Sequence, residues 1–354
     1  MAIQWLRCGH HVNVVSICIE SRAASIMLYH LLLQTVNTQQ SAGVSRGQPH
    51  LLLYEIDGVK SLKKALRDLS RAANGGALYV IADEVAGSYR SPYFPLLCDK
   101  LLTYIPRVHL WAASCFHERA PAGWQVEYLT RPLRSPPAVV REVERDEMIT
   151  RSRLAKPYRE RGVPDHTDGP PVTRLYHGGQ GHSDCSPVDC VTCGRKVASF
   201  LHSLRVGVTG SCTTTSRTFT PTSGGTTTPC LQWRDVLVLN WHDISDDSGM
   251  VKGLQEAGIP VRVMKDDDIE DVATAFSDVV WVGNGRCVRG LERKVVVCVE
   301  DHVYDFITSS FNTRTKMKDM VERYIHTSSR LNLMSRCTSQ LMIVSTDFEI
   351  SEDD

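Results

Sequence analysis

Charge of one sign is what this chain of 354 residues lacks: 40 basic side chains balance 40 acidic ones. No whole-chain field therefore draws it to nucleic acid or anionic membrane, and any such binding must be local. Long apolar runs are also missing. The longest, Ile26 to Val36, is broken by His30 and Gln34 and is too short to span a bilayer. Arg7, His10, His11 and Asn13 interrupt the N-terminus, which lacks the continuous apolar core of a signal peptide. Twelve cysteines is a modest share, and Cys18, Cys98, Cys115 and Cys298 sit in apolar runs where a thiol packs as a small hydrophobe and stays reduced. No G-x-G-x-x-G follows a strand pattern, which argues against a Rossmann dinucleotide site. G-x-x-x-x-G-K-[ST], the loop that wraps phosphates with backbone N–H groups, is absent too. The expectation is a soluble intracellular protein of nucleus or cytoplasm, without membrane contact.

What is present is alternation. Apolar runs of strand length occur at Val12–Cys18, Leu51–Ile56, Leu78–Asp83 and Val108–Ala113, and helical patterns fill the intervals at Arg22–Thr35, Val59–Ala73 and Phe94–Ile105. A second set of strands follows at Val172–Tyr176, Asp235–Trp241, Val261–Met264, Val279–Val282, Val295–Val299 and Leu341–Ser345. Such alternation predicts an α/β fold with mainly parallel sheets, and 42% hydrophobic content suffices for two cores. The expected division is 1–128 and 129–354, with a charged linker at 151–169 and a flexible Ser/Thr/Gly insertion at 210–228.

The run Leu78 to Ala82 closes in Asp83-Glu84, the form of a Walker B element. Further on come Leu129-Thr130-Arg131-Pro132-Leu133-Arg134-Ser135, then Arg289-Gly290-Leu291-Glu292 before a valine-rich strand, then Ser335-Arg336-Cys337-Thr338 before the last strand. Gly258-Ile259-Pro260 leads into another strand. In order and strand context these elements resemble motifs II, IV, V and VI and the G-I-P turn of superfamily 1 helicases of the UvrD/Rep type, P-loop NTPases of two RecA-like domains. The resemblance spans about Val12 to Ser345, with Met1–Cys8 similar to the end of the helix that follows a Walker A loop. The Walker A loop itself would lie before Met1, leaving the first domain N-terminally incomplete.

By that resemblance Asp83 holds Mg²⁺ and Glu84 orients the attacking water. Arg134 and Arg336 reach the γ-phosphate of ATP, and Arg289, Gly290 and Glu292 contact the nucleotide. Two departures stand out: Val85-Ala86-Gly87 follows the acidic pair, and Ala112-Ala113-Ser114-Cys115 replaces G-D-x-x-Q of motif III. With the phosphate loop also missing, the resemblance implies a nucleic-acid-binding homologue with feeble or no hydrolysis. The alternative is a non-enzymatic scaffold that binds a protein or RNA partner. Each residue also has a plainer reading: a solvated strand end for Asp83-Glu84, a helix-start arginine for Arg134, a strand-flanking arginine for Arg336, and a turn ion pair for Arg289 and Glu292.

Two patterns lie outside the family motifs. His182, Cys185, Cys190 and Cys193 run H-x₂-C-x₄-C-x₂-C, a set that could close a tetrahedral Zn²⁺, although Cys190 and Cys193 also read as one face of a helix ending at Leu204. Arg314, Lys316, Lys318 and Arg323, and separately Arg151, Arg153, Lys156, Arg159 and Arg161, form basic clusters that could meet phosphates. Aromatic residues for base stacking are sparse in both.

Overall fold

A computed structural model of the chain describes residues 1–38, 47–73, 75–85, 93–114, 123–129, 134–146, 149, 168–182, 186–209, 231–300, 331 and 333–346. It is an α/β protein with two parallel sheets. The first is four-stranded in the order β2-β1-β3-β4, made of β1 (Val12–Ser16), β2 (Pro49–Leu53), β3 (Ala77–Ala82) and β4 (Arg107–Ala112). The second is six-stranded in the order β5-β10-β9-β6-β8-β7. It contains β5 (Thr173–His177), β6 (Val236–Asn240), β7 (Val261–Val263), β8 (Val280–Asn284), β9 (Arg293–Val299) and β10 (Cys337–Thr346). Every strand pairing described is parallel.

Parallel strands need crossovers, and those crossovers cover both faces of each sheet, so central strands become continuous apolar runs. β1 shows this: all five residues are buried. Val12 and Val14 face α1 (Ala2–Arg7) and α2 (Ile19–Thr38), whereas Val15 packs with α3 (Val59–Ala72) and α4 (Tyr93–Tyr104). β2 starts at Pro49, two residues before the apolar run, because the ladder pairs Pro49 with Val12. A proline is tolerated at the first residue of a strand. β4 is an edge with alternating exposure, and its Trp111 is 54% exposed.

The second sheet divides its side chains by parity. Val236, Val238, Val280, Val282, Val295 and Val297 meet α6 (Val191–Thr209) and α7 (Gly249–Glu256). These two helices touch backbone to backbone: a Cβ on Gly253 would stand 2.4 Å from the Val191 carbonyl oxygen. Leu237, Leu239, Trp281, Val296 and Ile343 point to the opposite face, toward α5 (Pro137–Arg145) and α8 (Ile269–Thr274).

That opposite face also takes Ala23 and Ile26 of α2, a helix of the first lobe. The two lobes therefore share one apolar cluster. Ala23 and Ala24 are fully buried, and Gly290 lies so close that a Cβ there would come within 2.5 Å of the Ala24 Cβ. Small residues on both sides bring α2 against the turn before β9, and that approach positions the groups described next.

Candidate functional site

Asp83 and Glu84 follow directly on β3 and stand at the tip of the first sheet. Asp83 accepts the Glu84 N–H at 2.9 Å. Glu84 adopts the left-handed region, φ 52°, which costs a non-glycine residue about 1–2 kcal/mol. The neighbouring ladder holds it there: Val85 N–H donates to the Ala113 carbonyl at 3.0 Å and Ala113 N–H to the Ala82 carbonyl at 2.9 Å. Burial, and after it the adjacent Glu84 charge, push the Asp83 carboxyl above its ordinary range, with Arg336 acting in the opposite sense.

Across the lobe boundary, Arg336 precedes β10 and donates from Nη2 to Glu84 Oε1 at 3.3 Å. Both side chains are largely buried, at 15% and 9% exposure. Gly290, at φ 79°, lies alongside, where a Cβ would be 3.7 Å from the Glu84 Cγ. Arg289 is buried. Arg134 sits one link further out: its Nη1 donates to Glu292 Oε2 at 2.6 Å, and its side chain is 73% exposed. Of the residues singled out in the sequence, Asp83, Glu84, Gly290 and Arg336 converge closely, while Arg134 and Glu292 form a rim pair. An exposed pair of that kind contributes at most about 1 kcal/mol.

A second interlobe ion pair was not anticipated from sequence. Glu20, buried at the start of α2, accepts from Arg286 Nη2 at 2.7 Å. The available signal was an acid placed just past the apolar β1 run. The second lobe also contains a cavity of about 340 Å³ at the C-terminal ends of β6, β7 and β8. Among its lining groups Lys265 pairs with Asp246 at 3.0 Å, and Asn284 donates to Asp243 at 3.1 Å.

The proposed zinc run is brought together in part. His182, Cys190 and Cys193 converge, and the fourth group beside them is His177 at the end of β5. Cys185 lies outside the described residues, as do both basic clusters, the linker core 151–167 and the insertion 210–228. His177 closes the β5 ladder, in register with Thr346.

No known protein-family model matches this chain, and comparison with curated proteins finds no similar one.

Proposed function

We propose that the chain is a helicase-like homologue of the superfamily 1 kind, built of two RecA-like lobes, which binds nucleic acid and hydrolyses ATP feebly or not at all. The observation that carries this reading is the Arg336–Glu84 contact. A guanidinium from the second lobe reaches an acidic strand tip of the first, on Glu84 beside Asp83, as expected where two-lobed phosphoryl-transfer motors bring an arginine to the acidic pair. Gly290 beside Glu84 supports it, since the motif V turn then borders the same seam.

The fit to Mg²⁺ and ATP is incomplete. Asp83 offers the carboxylate that Mg²⁺ commonly takes, and Arg336, Arg289 and Arg134 supply cations for phosphate oxygens. The phosphate cradle has no counterpart in the sequence, which contains no G-x-x-x-x-G-K-[ST]. Positioning and charge stabilisation supply nearly all phosphoryl-transfer catalysis, so no hydrolytic step follows from these residues.

A scaffold reading is favoured by a specific feature of the same contact. Glu84 is already engaged by Arg336 at a largely buried position, which suits a guanidinium that holds the two lobes together rather than one kept for a phosphate. The two readings separate in a titration with a fluorescent ATP analogue and Mg²⁺, run beside an ATPase assay with and without single-stranded DNA and RNA. The helicase-like reading expects nucleotide binding that weakens in Arg336→Met and Arg134→Ala, with turnover near background. No nucleotide affinity selects the scaffold, and vigorous turnover abolished by Asp83→Asn overturns the inactive reading.

A further inference from the structure

We propose that His177, His182, Cys190 and Cys193 form a structural zinc site that clamps the β5 edge of the second sheet to the start of α6. The ligand atoms of these four residues all lie within 4.8 Å of one another. A regular tetrahedron with Zn–N of about 2.0–2.1 Å and Zn–S of about 2.3 Å has N···N edges near 3.3–3.4 Å and N···S edges near 3.6 Å. The His177 and His182 Nδ1 atoms are 3.3 Å apart. Cys193 Sγ stands 3.3 Å from the first of them and 3.4 Å from the second. Cys190 Sγ stands 3.5 Å from His182 Nδ1. Four edges thus approach the lengths that one tetrahedral ion imposes.

Hydrogen bonding alone accounts poorly for this cluster. Two imidazole Nδ1 atoms facing each other can share only one proton between them, and both also face sulfur. A single cation satisfies all four lone pairs at once. Two thiolates and two imidazoles are the donor set that zinc takes in closed sites, and with four protein ligands no position remains for a reacting water, so the site is structural.

Each ligand is delivered by a local device. His177 ends β5, fixed by its pairing with Thr346. Gly179 and Gly181, at φ 80° and 87°, turn the chain so that His182 comes back beneath the strand end. The Thr192 hydroxyl donates to the Gly181 carbonyl and ties that turn to α6. Cys190 follows the 3-10 turn Pro187–Asp189 and caps α6, accepting the Cys193 N–H on its sulfur at 3.4 Å. Metal binding through His182 Nδ1 places a proton on its Nε2. The exposed Lys196 ammonium, 2.8 Å from that atom, must then rotate into solvent, so Lys196 is not needed for binding.

The test uses the full chain purified without chelator. Metal analysis is expected to find about one zinc per chain, falling below roughly a tenth in Cys190→Ser and Cys193→Ser, and falling strongly in His177→Ala. Lys196→Ala and Cys185→Ser are expected to keep their zinc. Since loss of a structural metal can unfold the region, the unmutated chain is also stripped and reconstituted with Co²⁺. Intense visible d–d bands with thiolate charge transfer are then expected, displaced by Zn²⁺. Zinc loss in Cys185→Ser with retention in His177→Ala overturns the ligand set. A well-folded protein that binds neither ion, or one whose Cys190 and Cys193 are recovered as a disulfide, overturns the site.

Discussion

Replacing Arg336 by Met probes the contact that joins the two lobes at their acidic tip. The change keeps the apolar stem and removes the guanidinium that stands 3.3 Å from Glu84. At that separation the attraction is about 5 kcal/mol for an effective dielectric of about 20, much of it offset by the desolvation of both groups. Removing one partner leaves that desolvation uncompensated. Glu84, 7% exposed and next to Asp83, is left without its guanidinium partner, and such losses typically cost about 3–5 kcal/mol. In urea unfolding of the full chain at pH 7 the midpoint should fall accordingly, with thermal melting lower by about 4–7 °C. Glu84→Gln alone should also destabilise. The double variant should be less destabilised than the sum of the two, with a coupling of about 2–3 kcal/mol. A cost below about 1 kcal/mol for Arg336→Met together with zero coupling would refute the reasoning, because exposed pairs behave that way.

Asp83→Asn tests the sign of the electrostatics at the strand tip. The Asp83 carboxyl is raised above 3.8 by burial and then by Glu84, so its protonated form is favoured in the fold. Its contribution to stability is complete below that ordinary value and is lost as pH rises through the elevated one. In Mg²⁺-free buffer the variant should therefore be more stable than the parent at pH 7, with a flatter stability profile on the acid side; a less stable variant contradicts this. Gly253→Ala should destabilise by about 1–3 kcal/mol although alanine favours helix, because its Cβ would meet the Val191 carbonyl oxygen at 2.4 Å and the Arg195 nitrogen at 2.7 Å. A raised melting temperature would show that α6 and α7 separate without cost.

The strands were legible because both faces of these sheets are covered. Runs such as Val236-Leu237-Val238-Leu239 and Val295-Val296-Val297-Cys298 are wholly buried, and burial on both faces leaves an unbroken apolar signature. Helix α3 was readable from its periodicity over Val59–Ala73, whereas the cap of α7, where Ser248 accepts the Val251 N–H, appears in the structure. The zinc set was harder. Spacing pointed to His182, Cys190 and Cys193 but not to His177, which lies five positions before His182. Only the β5 to β10 pairing carries its ring to the head of α6. Glu20 and Arg286 were missed for a related reason, since nothing local to either residue announces a partner 266 positions away.

The chain's own pattern thus determined which segments become strands and helices, because apolar run length and periodicity respond to burial, a local cost felt residue by residue. Tertiary structure alone decided the strand order, the insertion of α2 into the core of the second lobe and the meeting of Glu20 with Arg286 across 266 positions. Those outcomes depend on which apolar faces fit against each other, and complementarity between distant surfaces leaves no mark in a one-dimensional pattern.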